Sequence, residues 1–593
     1  MKPTIIPWTI WSSALLFSSP AAAFLPPIRP RQSESFDWSA ITPTHDLQYH
    51  DCFTMFKCAR LLVPLDWSKH TRSVPGRYTN SSSEAHAAIA IVTLPAAVPV
   101  TDPSYGGPIL LNPGGPGGSG TDMALAYGPS IQMLTDTPGV RHFDIIGFDP
   151  RGVGKSTPSA MCFENEFERS LHALQYERMP DVTTELGVNM KFAVAEATQK
   201  LCAERTAGQE GGSIFLHMST ASVARDMLEI VERAEEARSK APGMKRAAET
   251  PRLQYLGFSY GSHLGNTFAS MFPGRVGRMV VDGIVDAEDY TAGAWLKNLN
   301  DIEEAVDNFY RTCFDAGEAC PLRQPQDRNG ADLRRRVDAL IQSLDEAPIS
   351  VPRNGRVNVL TSFIVREFIR VNLYDPITTY EQLARVLANL LAENYEDFFG
   401  GNSQSSLCAE VDETSPPQRY TWGNEATPGV LCGDSYAAAG QRNLSWARDL
   451  SSRLVQQSPT AGAPWARIPM SCANWEFAPP YAFHGPWGSP APDPRASNST
   501  PAAPLLILST RVDNATPLAN AWALSQVHKG SSVVVQEGYG HCALLASESE
   551  CTIGIVREYF NTGRVPNNGT VCETDCKPQI PHNECRSLRP SVE

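Results

Sequence analysis

Ser259 sits in Gly257-Phe258-Ser259-Tyr260-Gly261, a G-x-S-x-G, between the apolar run "RLQYLG" and a stretch with helical spacing of its apolar positions. A serine between glycines at a strand-to-helix turn is carried on a bend tight enough to lift its hydroxyl clear. The hydroxyl is a weak nucleophile at neutral pH, so it needs a histidine to take its proton and a carboxylate to orient that histidine. Asp513, in "TRVDNATP", follows the apolar run "PLLILST", and His541, in "GYGHC", follows "SSVVVQEG". Of the 12 histidines, only His541 stands past a strand that follows the proposed acid. Serine, acid and base therefore come in that order, each at the end of a predicted strand. Together they can perform acyl transfer through a covalent ester on Ser259.

Such chemistry develops an oxyanion, which needs rigid, unobstructed amide donors. One is the amide of Tyr260, directly after the nucleophile. The other is expected from a loop after an early strand, and "NPGGPGGSG" at 112–120 follows the apolar run "PILL" there. Gly115 is the first choice for this donor and Gly114 the second.

Those residues require a particular frame. From 56 to 290, short apolar segments ("ARLLVPLDW", "AAIAIVTLPA", "GPILLN", "FDIIGFD", "LQYLGFS", "GRMVVDGIVD") alternate with helical ones such as "ASVARDMLEIVERAEEARS". This alternation predicts a mostly parallel sheet with helices on both faces. Residues 291–495 show helical segments and a loop-rich stretch dense in Pro, Trp and Cys, with no repeating strand pattern. Strand signals return at 503. The organisation expected is a signal peptide at 1–23, a core at 24–290, an inserted helical cap at 291–495, the last core strands at 496–566 and a Cys-rich tail at 567–593.

The chain has 593 residues, formal net charge −14 and 42% hydrophobic residues. The acidic balance argues against nucleic acid and anionic membrane surfaces as partners. "MKPTIIPWTIWSSALLFSSPAAAF" fits a secretory signal cleaved after Ala23, leaving no membrane span. Secretion makes the 14 cysteines, none in a CxxC pair, a disulfide set, with Cys52–Cys58, Cys313–Cys320 and Cys542–Cys551 the pairs suggested by proximity. Asn80, Asn443, Asn498 and Asn568 are expected to carry glycans, whereas Asn514, beside the proposed acid, is expected to be buried and unmodified. "FDPRGVGKS" lacks the spacing of a phosphate loop. No cofactor and no metal are expected.

"NPGGPGGSG", "FDIIGFDPRGVGKS", "LGFSYGSHLGNTFASMFPGRVGRMVVDGIVD", "STRVDNATP" and "GYGHC" together resemble the tripeptidyl-aminopeptidase branch of the proline-iminopeptidase-related α/β-hydrolases. The similarity spans 50–290 and 465–575, with the cap matched only at scattered positions. It implies an α/β-hydrolase fold and a secreted serine exopeptidase that removes short peptides, tripeptides first among them, from free amino termini. Pro113 stands where proline iminopeptidases carry His, so strict prolyl specificity is not implied. A cap carboxylate is then wanted for the substrate's ammonium, and Asp434 and Glu476 are the candidates. Two alternatives use the same chain differently: a carboxylic-ester hydrolase on the same triad, and a non-catalytic, hydrolase-like binding protein.

Overall fold

The computed structural model describes residues 36–70, 84–244, 250–353, 356–395, 398–399, 423–496 and 499–581. Twelve strands are present: β1 (His50–Cys52), β2 (Phe56–Pro64), β3 (His86–Leu94), β4 (Tyr105–Asn112), β5 (His142–Phe148), β6 (Leu253–Phe258), β7 (Val276–Asp282), β8 (Ile349–Arg353), β9 (Arg356–Leu360), β10 (Leu506–Val512), β11 (Ser532–Tyr539) and β12 (Thr570–Glu573). Ten of them form one sheet in the order β1-β2-β3-β5-β4-β6-β7-β10-β11-β12. β1, β2 and β3 pair antiparallel, β3 meets β5 antiparallel, and every pairing from β5 through β12 is parallel. The central strands read as unbroken apolar runs because both faces are covered. In β4, Ile109 and Leu111 face one side and Leu110 the other, as the two-residue pleat requires.

Helices Gly120–Thr135 and Glu550–Thr562 cover one face, through Met123, Tyr127, Val556 and Phe560. Helices Thr220–Ser239 and Tyr260–Met271 cover the other, through Met227, Leu264 and Phe268. Their starts are legible: Ser119 and Ser219 each accept a hydrogen bond from a backbone N–H in the first turn, satisfying a donor the helix leaves unpaired.

Among the described residues, the chain between β7 and β10 builds the cap from eight α-helices, among them Ala287–Ala292, Ser362–Asn372, Gly423–Asp434 and Gly462–Met470. It also contains the antiparallel hairpin β8–β9, which the absence of a repeating strand pattern did not announce. Its apolar core is continuous with that of the sheet. β12 lies in the stretch read as a tail and extends the sheet beside β11.

Cys52–Cys58 and Cys313–Cys320 are disulfides as expected. Cys542–Cys551 is not: Cys551 pairs with Cys572, and Cys542 is a buried free thiol. The reason is directional. Cys542 turns its sulfur toward the end of β7, whereas Cys551 opens the helix that packs on β12. Cys162–Cys202 and Cys432–Cys472 are two further bridges.

Candidate active site

Ser259 follows β6 at φ 55°, ψ −122°, a conformation that costs a non-glycine residue energy and is held only when its surroundings over-determine it. Its N–H donates to the Asp282 carbonyl on the neighbouring strand (2.9 Å), and its carbonyl accepts from the Ser262 N–H (2.8 Å) and Oγ (2.6 Å). A Cβ at Gly261 would stand 2.8 Å from the Asn112 carbonyl oxygen, so the helix can start this close to β4 only with glycine there.

The glycine loop lies against this turn. A Cβ on Gly114 (φ +94°) would come within 2.5 Å of the Phe258 carbonyl oxygen, 2.9 Å of Ser259 Cβ and 3.1 Å of the Tyr260 nitrogen. Backbone without side chains thus faces both the nucleophile and the amide that follows it. The Gly114 N–H itself donates to Asn112 Oδ1 (2.9 Å) and its carbonyl accepts from Gly118 (3.0 Å). The Gly114 amide is thus engaged within the loop.

Asp513 and His541 meet from the ends of β10 and β11. His541 Nδ1 is 2.9 Å from Asp513 Oδ1 and 3.1 Å from Oδ2, with Thr516 Oγ1 also 3.1 Å away. Asp513 is wholly buried and accepts from the Ala515 and Thr516 amides (2.9 and 2.8 Å), Thr516 Oγ1 (2.9 Å) and the Cys542 amide (3.0 Å). Burial alone would raise its pKa, but the His541 charge and these bonds outweigh it and hold the carboxyl below its ordinary range. The carboxylate stays charged and fixes the imidazole with Nδ1 toward the acid and Nε2 on the opposite side of the ring.

The cap reaches this centre at several places not legible from local pattern, Tyr374 and Thr427 among them. The Tyr374 carbonyl accepts the His541 N–H (3.0 Å), and its ring meets the imidazole edge-on at 5.2 Å. Thr427 Oγ1 donates to the Pro116 carbonyl (2.6 Å), holding helix Gly423–Asp434 on the glycine loop. Asp282 is also missed by sequence reading. Wholly buried, it accepts from the Ala543 and Leu544 amides, and burial pushes its carboxyl up to about 6.

The two proposed ammonium anchors are not brought to the triad as open carboxylates. Asp434 is buried and already accepts from the Thr220 N–H (2.7 Å), Thr220 Oγ1 and Tyr290 Oη (3.0 Å). Because Thr220 Oγ1 also meets Tyr260 Oη, Asp434 ties the cap to the nucleophile's turn. Glu476 is exposed and acts electrostatically on Lys200. The cysteines near these two residues, Cys432 and Cys472, form a disulfide that ties the end of helix Gly423–Asp434 to the turn after helix Gly462–Met470.

Burial pushes the Asp434 carboxyl up to about 7, against hydrogen bonds from Thr220 and Tyr290. The folded state therefore holds this proton more tightly than the unfolded chain, whose carboxyl titrates near about 4. That stabilisation is fully present below pH ~4 and is lost as pH rises through about 7. An Asn there can still accept from the Thr220 amide and never ionises. The melting temperature of Asp434→Asn should therefore gain on the wild type between pH 5 and 8, and a pH-independent difference would contradict this account.

Among the described residues no helix is long and apolar enough to cross a membrane, and no group of three or more His, Cys, Asp or Glu could hold a metal ion. The sheet order, the serine on its strand-end turn and the buried acid–base pair define an enzyme with the α/β-hydrolase fold. An alpha/beta hydrolase fold family model matches residues 107–318, and a TAP-like protein model matches 458–572, the segment with acid and base. The chain therefore has the α/β-hydrolase fold, and its C-terminal segment is similar to TAP-like proteins. It is 25% identical over 530 residues to serine protease Hip1 of Mycobacterium tuberculosis, covering 87% of each chain. It is 26% identical over 478 residues to tripeptidyl aminopeptidase of Streptomyces lividans, covering 80% of this chain and 78% of that one. To carboxylesterase B of M. tuberculosis it is 27% identical over 557 residues, covering 92% and 91%.

Proposed function

We propose that this protein is a secreted serine exopeptidase that releases short peptides, tripeptides first among them, from free amino termini. The observation that carries the reading is the buried Asp513–His541 pair, set on neighbouring strand ends of the sheet that carries Ser259 beside a side-chain-free loop. Ser259 Oγ attacks the scissile carbonyl while His541 Nε2 takes its proton. The amides of Tyr260 and Gly115 receive the developing oxyanion. His541 then gives the proton to the leaving amine, and water repeats the sequence on the acyl-enzyme to release the peptide acid. The relative named tripeptidyl aminopeptidase supports the substrate class.

A panel of aminoacyl-, dipeptidyl- and tripeptidyl-anilides, each with free and acetylated amino terminus, tests the reading beside simple esters. The free tripeptidyl anilide should give the highest kcat/KM. Preference for esters with indifference to the amino terminus would instead favour a carboxylic-ester hydrolase, a second reading that the carboxylesterase B relative supports.

The secretory route carries its own prediction. Asn443 and Asn568 are exposed and Asn514 is wholly buried, while Asn80, Asn498 and the signal segment 1–23 lie outside the described residues. Glycopeptide mass spectrometry on protein secreted from a glycosylating host should find Asn443 and Asn568 occupied and Asn514 bare. A stoichiometric glycan on Asn514 in active enzyme would place the acid's loop at the surface and require a different acid.

A further inference from the structure

β6 and β7 run side by side with Phe258 opposite Asp282, so the last residue of β7 is next to the nucleophile. The Asp282 carbonyl accepts the Ser259 N–H at 2.9 Å. Its side chain points to the other partner. Oδ1 accepts the Ala543 N–H (2.7 Å) and Oδ2 the Leu544 N–H (2.8 Å), the second and third residues after His541. Cys542 Sγ approaches the same Asp282 carbonyl at 3.4 Å. One wholly buried residue is therefore bonded through its backbone to the nucleophile and through its side chain to the loop that carries the base.

Helix capping alone does not explain a carboxylate here. Ala543–Ala546 is a single turn, and a neutral Ser or Asn could serve its first amide at lower desolvation cost. A carboxylate differs in offering an acceptor to each of two successive amides, which fixes the loop at two points and so fixes its orientation. Asp513 cannot supply this on its own. It holds the imidazole and the Cys542 amide but makes no hydrogen bond to Ser259 among the described contacts.

We propose that Asp282 is a positioning residue of the active site: it sets the His541 loop against the Ser259 turn, so that turnover depends on a carboxylate that touches neither substrate nor reacting atoms. The proposal rests on the assignment of Ser259 and His541 as nucleophile and base. It does not depend on peptides being the substrate.

Asp282→Asn puts an NH2 group against one of two N–H donors and forces the loop to shift. Ala543→Pro removes one donor at the first helical position, where helices tolerate proline, and leaves the carboxylate in place. Both are measured beside wild type for thermal melting, for kcat and KM on the best substrate, and for the rate of inactivation by a fluorophosphonate. That last rate reads the Ser259–His541 pair without any peptide, so a wrong substrate class leaves it intact. Since misplacement of a catalytic group by about 1 Å can cost on the order of a hundredfold, kcat and the inactivation rate should fall together, about tenfold or more in Asp282→Asn. A smaller parallel fall is expected in Ala543→Pro, with KM within about twofold in both. A folded Asp282→Asn with both rates unchanged, or with only KM altered, overturns the proposal. Should Asp282→Asn fail to fold, wild-type rates in Ala543→Pro overturn it equally.

Discussion

Ser259→Ala is expected to melt within a few degrees of the wild type and to lose turnover on the order of a millionfold, the usual cost of removing a triad nucleophile. Both halves follow from how Ser259 is held. The bonds that fix it run through its backbone, the N–H to the Asp282 carbonyl and the carbonyl to Ser262, and alanine keeps them. The positive φ is as costly for alanine as for serine, so the substitution adds no strain. Only the hydroxyl is lost. Fluorophosphonate labelling with peptide mapping gives the complementary check, because among the described residues another serine lies beside a histidine. Ser489 Oγ lies 2.8 Å from His528 Nδ1, and His528 Nε2 is 2.8 Å from Asn266 Oδ1. That group is buried, its histidine pushed by burial down to about 4, and it fastens the loop at 489 to the residue after helix Leu518–Val527. The label should land on Ser259. A label on Ser489 would reverse the assignment.

The contrast between these two serines shows what the sequence could disclose. Ser259, Asp513 and His541 each end a strand whose apolar run is visible locally, and their order along the chain is a pattern that one sequence can display. Ser489 has no such signal, since it reaches His528 and Asn266 across the fold. The same distinction separates the rest of the site. Gly114 and Gly115 stand out because glycine is required where φ is positive and backbone approaches backbone. Asp282 reads in sequence as any aspartate closing a strand, because its partners, Ala543 and Leu544, are some 260 residues away. Tyr374 and Thr427 reach the base and the glycine loop from a cap without periodic strand signals, so nothing in their neighbours marks them. Asp434 is a candidate in the sequence because it is a carboxylate in the cap. Its oxygens are used, but as acceptors for Thr220 and Tyr290 of the protein itself.

Asp513→Asn should lower kcat on the order of a thousandfold, and Asp513→Ala by about ten times more, toward the 10^4 range seen when a triad acid is lost. The difference follows from the hydrogen bonds around the carboxylate. Oδ1 accepts from the Ala515 and Thr516 amides, so an asparagine NH2 placed there would face two donors. The amide oxygen therefore stays at the Oδ1 position, where it can still accept from His541 Nδ1 at 2.9 Å. The NH2 group takes the place of Oδ2, against the Cys542 N–H and beside Thr516 Oγ1, whose hydroxyl can rotate to accept from it. Asparagine thus preserves the imidazole's tautomer and loses the negative charge that stabilises the imidazolium in the transition state, whereas alanine loses both. Stability should respond with the opposite sign to that at Asp434. The Asp513 carboxyl is held below its ordinary range in the fold, so its contribution is present above about pH 4 and is lost as pH falls through the folded pKa. Wild type should therefore lose melting temperature faster than Asp513→Asn between pH 5 and pH 3. If the two curves stay parallel while kcat falls as stated, the carboxylate acts on the transition state without contributing to the acid sensitivity of the fold. If kcat falls by less than about tenfold, His541 takes its orientation elsewhere, and Asp513 is not the acid of this triad.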